Sequence, residues 1–367
     1  MPPRTATVPH LPPCGSQLCA GDQVGRYRVL FELGRGAMGA VFRAFDPLLG
    51  RDVALKALHV EDARSRQRFV REAQAMARLS HPNVVQVFDV VRVRRGGGRS
   101  DRCLIAMELV EGQTLEAWLE ASRSWDAIVA VFDGAARGLA AAHRAGLVHR
   151  DFKPANLIVG RKGRVRVTDF GLTLTAEERA PTQDEDGDAS GCESPDGTGV
   201  GGTVGTPAYM APEQHLGHGV GPAADQFSFC VAMFEAVYGV RPFTGRSCTE
   251  LAEQKLAGRW CRAPKGRTVP RWLGRVIRRG LSPEPQCRFA SMDALLTALR
   301  RGRERRRWSA PAAMAGALTV LVALGVAGAP DQSAAAVAAS ASALASAGSS
   351  LLDSSAVPSI SSASRRR

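Results

Sequence analysis

The chain has 367 residues, enough for one large domain or two smaller ones with a sizeable core. Its 45% hydrophobic and 23% charged residues are ordinary for a globular protein and set aside a fibrous or wholly disordered chain. Eight scattered cysteines, with no C-x-x-C and no Cys/His cluster at zinc spacing, exclude a zinc framework and read as reduced thiols, while a net charge of +13 requires that nucleic acid, anionic lipid and acidic proteins be weighed as partners.

Residues 1–25 lack the apolar core of a signal peptide and read as a flexible arm. From Tyr27 to Val93 apolar runs alternate with Gly and Asp, which predicts strands. One helix, Ala63–Leu79, interrupts them, with Phe69, Ala73, Met76 and Leu79 near helical spacing. Arg94–Arg102 is a basic loop, and Cys103–Val110 a buried strand. From Thr114 the pattern turns helical: Ile128, Val131, Ala135, Leu139 and Ala142 mark one face of a long helix. A strand-rich part, 26–111, thus precedes a helix-rich part, 112–300, with the boundary at Glu111-Gly112. Residues 301–307 continue a basic run. Trp308–Ala329 then carries no charge over about 33 Å of helix, enough to cross a bilayer core. An apolar linker or packing helix would look similar. The preceding arginines favour a single transmembrane helix, 308–330, with residues 1–307 cytoplasmic. The Ala/Ser-rich tail, 331–367, is too low in complexity to fold.

Four motifs carry phosphate chemistry. Leu33-Gly34-Arg35-Gly36-Ala37-Met38-Gly39-Ala40-Val41 has the G-x-G-x-x-G spacing that lets backbone approach phosphate oxygens. A dinucleotide-binding loop or a plain hairpin turn would share that spacing, but this loop joins two strands rather than opening a helix. In Val53-Ala54-Leu55-Lys56 a strand puts Ala54 and Lys56 on one side, a small residue beside an ammonium. The chain holds only five lysines among 48 basic residues, so a lysine in a motif signals a need for a compact charge. Glu72, on the following helix, matters only as a partner for Lys56. His149-Arg150-Asp151-Phe152-Lys153-Pro154-Ala155-Asn156 is the strongest: Asp151 can accept a hydroxyl proton, Lys153 can neutralise a transferring phosphoryl, and Asn156 can ligate Mg²⁺. Asp169-Phe170-Gly171, after the strand Val165–Val167, places a carboxylate where a hard cation can be held with phosphates.

Taken in order, with His-Pro-Asn at 81–83 and the run from Gly205 through Thr206, Pro207 and Tyr209 to Glu213-Gln214, these motifs resemble the eukaryotic-type (Hanks-type) protein kinases over about residues 25–300. The resemblance is closest to bacterial membrane-anchored Ser/Thr kinases. It implies an α+β bilobal fold, with a small β-rich lobe and a larger helical one. It implies that Gly34, Gly36 and Gly39 cover the phosphates of ATP and that Lys56 holds the α- and β-phosphates and pairs with Glu72. Met107 looks like the gatekeeper, with Glu108 and Val110 the hinge that bonds adenine. Asp151 is implied as the base, and Asn156 and Asp169 as ligands of Mg²⁺ (or Mn²⁺). Glu213 is expected to pair with Arg288, and Asp225 to anchor the catalytic loop. Cys230 stands where the family has a smaller residue.

Lys153 two residues after Asp151, and Thr206 before Pro207, match Ser/Thr rather than Tyr specificity. Arg150 beside Asp151 implies control by phosphorylation, with Thr203, then Thr198 and Thr173, as acceptors. Residues 177–196 depart from the pattern, with eight acids against one arginine. They are either an acidic insertion without a role or a segment that docks on basic surface until phosphorylated. The expected partners are Ser/Thr-bearing proteins, anionic lipid and a second copy for phosphorylation in trans. Nucleic acid is not among them, because the arginines beside the apolar segment suit headgroups. A small-molecule kinase would lack the Thr206-to-Glu213 segment, and a binding-only relative would have lost Lys56, Asp151 or Asn156.

Overall fold

The computed structural model describes residues 18–36, 39–58, 63–93, 102–170, 207–217, 219–264 and 269–305. The chain divides into two units between Gly302 and Arg303. The transmembrane expectation at 308–330, the tail, the loop at 94–101 and the segment 171–206, with its acidic insertion and threonines, lie outside the described residues.

The first lobe is a six-stranded antiparallel sheet in the order β1-β2-β3-β4-β6-β5. Its strands are β1 (Gln23–Val24), β2 (Tyr27–Gly36), β3 (Gly39–Asp46), β4 (Arg51–Leu58), β5 (Val87–Val93) and β6 (Arg102–Glu108). Alternation along the strands sorts the side chains onto two faces. Tyr27, Val29, Phe42, Val53, Leu55 and Leu104 form one core on the far face. Ala54, Ile105 and Met107 face the other way, into a second core shared with helix α1 (Ala63–Arg78) and the helical lobe. Phe69, Ala73, Met76 and Leu79 are buried there, as their spacing predicts.

Residues 18–25 do not behave as an arm. Leu18 and Val24 are buried in the first core, and β1 pairs with β2. Two short apolar side chains suffice to dock this stretch, a signal too sparse to stand out among prolines and glycines.

The helical lobe begins with β7 (Gly112–Thr114), α2 (Leu115–Glu120) and α3 (Trp125–Arg144). Thr114 and Ser124 cap the two helices through their side-chain oxygens. Ile128, Val131, Ala135, Leu139 and Ala142 of α3 are all buried. A three-stranded sheet, β7-β8-β9, lies against it, with β8 at Leu157–Gly160 and β9 at Val165–Val167. Asn83 joins the two lobes. Its Nδ2 donates to Val165 O at 2.9 Å and its carbonyl accepts from Val167 N at 2.9 Å. Gly138 of α3 permits this approach, since a Cβ there would stand 2.5 Å from Asn83 O.

The lobe is completed by α4 (Pro212–His215), α5 (Pro222–Tyr238), α6 (Cys248–Leu256), α7 (Arg271–Gly280) and, up to the unit boundary, α8 (292–302). Thirteen residues of α5 are buried, which makes it the spine of the lobe. Cys230 on α5 is fully buried, and the room for it comes from α7: a Cβ on Gly280 would lie 2.1 Å from Cys230 Sγ. The basic run from residue 300 begins inside the folded lobe rather than beyond it. Arg300 Nε donates to Asp133 of α3 at 2.8 Å, and Gly302 is buried.

Candidate active site

The β3–β4 register sets Lys56 opposite Val41, and the β4–β6 register sets Ala54 opposite Met107 and Lys56 opposite Ile105. Ala54 and Lys56 therefore share the face that looks toward the helical lobe, and Lys56 is buried. Gly36 and Gly39 close the β2–β3 turn, and Gly39 has φ 136°, a conformation that suits glycine. Gly34, Arg35 and Ala40 lie in the same two strands, while Ala37 and Met38 fall outside the described residues. A cleft of about 640 Å³ opens beside the connection after β6, lined by Leu33, Leu109, Val110, Gly112 and Val159. Glu108, the last residue of β6, carries its carboxylate on Arg166, at 3.0 Å.

The loop from His149 to Asn156 is held from below by one carboxylate. Asp225, on α5 and 1% exposed, accepts from His149 N and Arg150 N, both at 2.8 Å, and stands 2.7 Å from His143 Nε2. The expected anchor is thus in place, and His143 is a member that the motifs did not show. His149 Nε2 lies 2.8 Å from Thr168 O, so the ring ties this loop to the strand end before Asp169. Its ring packs against Phe170 with centroids 4.7 Å apart.

Asp151 stands above this base. Its carboxylate meets Lys153 Nζ at 2.8 Å and Asn156 Nδ2 at 3.3 Å. Asn156 Nδ2 also donates to Asp151 O at 2.8 Å. The three polar groups read as one unit are one unit in space.

The partner of Lys56 differs from expectation. Lys56 Nζ lies 2.7 Å from Asp169 Oδ1, and Glu72 instead faces Arg150, at 3.7 Å. Among the described residues, Asp169 and Arg150 are the non-glycine residues with positive φ, 63° and 66°. This left-handed backbone, which costs about 1–3 kcal/mol per residue, carries the Asp169 carboxylate to Lys56 and the Arg150 guanidinium to α1. Both residues of the expected pair are therefore engaged elsewhere.

The segment after 206 is fixed at several points. Arg288 pairs with Glu213 through two parallel bonds of 2.7 and 2.8 Å, with its side chain fully buried, as expected. Gln214 Nε2 donates to Arg150 O at 2.8 Å, and Ser228 Oγ to Tyr209 O at 2.8 Å. Burial and the Glu235 carboxylate together raise the Tyr209 hydroxyl pKa, keeping it a donor.

The donor set near Asp151 suits a hard cation. It offers a carboxylate from Asp169 and an amide oxygen from Asn156, whose nitrogen is occupied by Asp151. No cluster of three or more His, Cys, Asp or Glu that could hold a metal occurs among the described residues. An ion here would draw further ligands from phosphate and water, the habit of Mg²⁺.

The chain is similar to known proteins. The protein kinase domain profile matches residues 27–315. The chain is 34% identical over 322 residues to the serine/threonine-protein kinase PknA of Mycobacterium tuberculosis, covering 83% of this chain and 70% of that one. It is 34% identical over 313 residues to the serine/threonine-protein kinase Pkn1 of Myxococcus xanthus, covering 82% of this chain and 42% of that one. The crystal structure of the Mycobacterium tuberculosis PknI kinase domain superposes with a TM-score of 0.58 at 26% identity, covering 78% of this chain and 100% of that domain. A β-sheet lobe over a helical lobe, a buried lysine facing Asp169 and a catalytic loop hung from Asp225 have the same origin: the chain belongs to the protein kinase family.

Proposed function

We propose that this chain transfers the γ-phosphoryl group of ATP to Ser/Thr hydroxyls of proteins. The observation that carries the reading is the Asp151–Lys153–Asn156 unit, set within one loop. Asp151 accepts the hydroxyl proton as the oxygen attacks. Lys153, 2.8 Å from that carboxylate, also reaches the transferring phosphoryl and offsets its charge. Mg²⁺, or Mn²⁺, held by Asn156 and Asp169 together with the phosphates would neutralise the remaining charge. For this, Lys56 leaves Asp169 for the α- and β-phosphates, and Glu72 leaves Arg150 to support it. Leu33, Gly34, Arg35, Gly36, Ala37, Met38, Gly39, Ala40 and Val41 cover the nucleotide. Ala54, Met107, Glu108 and Val110 enclose its base. Hydroxyl specificity is supported by Lys153 and by the names of the bacterial relatives. Phosphoamino-acid analysis of protein labelled with γ-labelled ATP should give phosphoserine and phosphothreonine; label on tyrosine alone contradicts the assignment.

Phosphorylation of the segment after Asp169, in trans within a homodimer, is part of the proposal. Arg150 Nε is buried with no hydrogen-bond partner among the described residues, a ready donor for a phosphate. The chain is further proposed to sit in a bacterial cell membrane through 308–330, with the kinase domain cytoplasmic. The support is the uncharged run behind a block of arginines. Among the described residues no helix is long and apolar enough to cross a membrane. Alkaline carbonate extraction of membranes tests this: the full chain should stay in the pellet, and recovery in the supernatant contradicts the anchor.

A further inference from the structure

Lys255 is one of the five lysines, lies on α6, and exposes none of its surface. Its Nζ donates to Pro207 O at 2.5 Å and stands 3.2 Å from His215 Nε2. The ammonium also lies 5.9 Å from the centre of the Phe243 ring. No carboxylate pairs with it among the described residues. A buried cation without a counter-ion is costly, and burial of a lysine persists where its hydrogen bonds do something an apolar side chain cannot.

What these bonds do is join three pieces of chain. Lys255 reaches from α6 to the carbonyl of Pro207, the residue after Thr206, and to His215 at the end of α4. The rest of this segment is fixed by other means: Tyr209 by Ser228, Glu213 by Arg288, Gln214 by the Arg150 carbonyl. These anchors tie the segment to α5 and to the catalytic loop. Lys255 ties its first described residue to α6, where none of them reaches.

We propose that Lys255, acting through the Pro207 carbonyl and seated on His215, is a positioning residue for the protein substrate: it sets the segment on which the chain bearing the acceptor hydroxyl rests. The proposal rests on the protein kinase reading and adds to it a residue outside the nucleotide and metal machinery. Lys255 touches neither ATP nor the reacting atoms, so its effect falls on the protein substrate alone. Its charge state gives a second handle. Burial brings the ammonium down to about 7, and burial with Lys255 nearby brings His215 down to about 4. The groups that face the ammonium are the His215 ring, the Pro207 carbonyl, the Phe243 ring and, on its own helix, Cys248. At neutral pH His215 is uncharged and accepts from Lys255. The ammonium, present below about pH 7, donates a stronger bond to Pro207 than the neutral amine present above it.

The test uses the full chain with ATP, Mg²⁺ and casein as acceptor, comparing the parent with Lys255→Met, which keeps the length of the stem. Lys255→Met should raise KM for casein about tenfold or more, the size of one lost charge-assisted hydrogen bond. KM for ATP should stay within about twofold. In the parent, KM for casein should rise as pH passes upward through about 7 while KM for ATP stays level; in Lys255→Met the casein profile should be level. An unchanged casein KM in the variant, or casein and ATP KM rising together, overturns the proposal. If Lys255→Met does not fold, the parent profile decides, and a level casein KM overturns it. A parent chain that phosphorylates neither casein nor itself overturns the kinase reading, and this proposal with it. Transfer with an unmoved casein KM overturns the proposal alone.

Discussion

Asp225 offers the sharpest test of how the catalytic loop is held. Its carboxylate accepts two backbone N–H bonds of 2.8 Å, from His149 and Arg150, and meets the His143 ring at 2.7 Å, all at 1% exposure. Asp225→Ala leaves two backbone donors without acceptors, that of His149 buried and that of Arg150 part-buried. Each unsatisfied donor costs about 1–3 kcal/mol, so the variant should lose about 2–6 kcal/mol. That is a large share of the roughly 5–15 kcal/mol a folded domain has. Asp225→Asn keeps one acceptor and turns an NH₂ toward a donor, for a loss of about 2–3 kcal/mol. The loss has a second consequence, because Arg150 sits at φ 66° and is kept there partly by its N–H bond to Asp225. Once released, the loop misplaces Asp151, so kcat should fall more than KM for ATP rises. Guanidinium unfolding of the full chain, with kinetics on the same samples, reads both. Asp225→Ala within about 1 kcal/mol of the parent, with unchanged kcat, refutes the reasoning.

Other outcomes follow from the packing. Gly138→Ala should destabilise by about 1–3 kcal/mol in chemical unfolding, because the added Cβ meets a backbone carbonyl, Asn83 O, at 2.5 Å. Gly280→Ala should cost a similar roughly 1–3 kcal/mol through its contact with Cys230, and Cys230→Ala in the same chain should recover most of it, a non-additivity measured by a double-mutant cycle. Glu213→Gln leaves the fully buried Arg288 side chain without its counter-ion and should cost about 3–5 kcal/mol in the same assay. His215 has a folded-state value of about 4 against 6.5 for the free side chain, so the unfolded chain takes up the proton first. Its contribution to stability is complete above about pH 6.5 and is lost as pH falls to about 4. Thermal melts between those limits should fall less steeply for His215→Asn than for the parent.

The parts of the site that were legible in the sequence are those whose geometry is local. Asp151, Lys153 and Asn156 lie within six residues, so one loop fixes their relations. The helix at Ala63–Arg78 and the buried face of α3 follow from spacing alone. The resemblance also carried two distant pairs, Glu213 with Arg288 and Asp225 with the loop, because each joins motif positions. It did not carry the partner of Lys56. That choice depends on the backbone at Asp169 and Arg150, whose positive φ values no residue type at those positions announces. His143 and Gln214 were missed because each sits on a helix where a solvated face is the ordinary reading. Lys255 left a signal, its rarity among the basic residues. What could not be read is that α6 turns it inward onto Pro207 rather than out to water.

In the proposed transfer to protein, Asp151 takes the hydroxyl proton. The direct measurement is transfer of label from γ-labelled ATP to casein by the full chain and by Asp151→Asn, with unfolding midpoints for both. The variant should lose about 10²- to 10⁴-fold in kcat, the contribution of a positioned base, with the midpoint little changed. A variant that transfers label as fast as the parent, or a folded parent that transfers none, contradicts that role for Asp151.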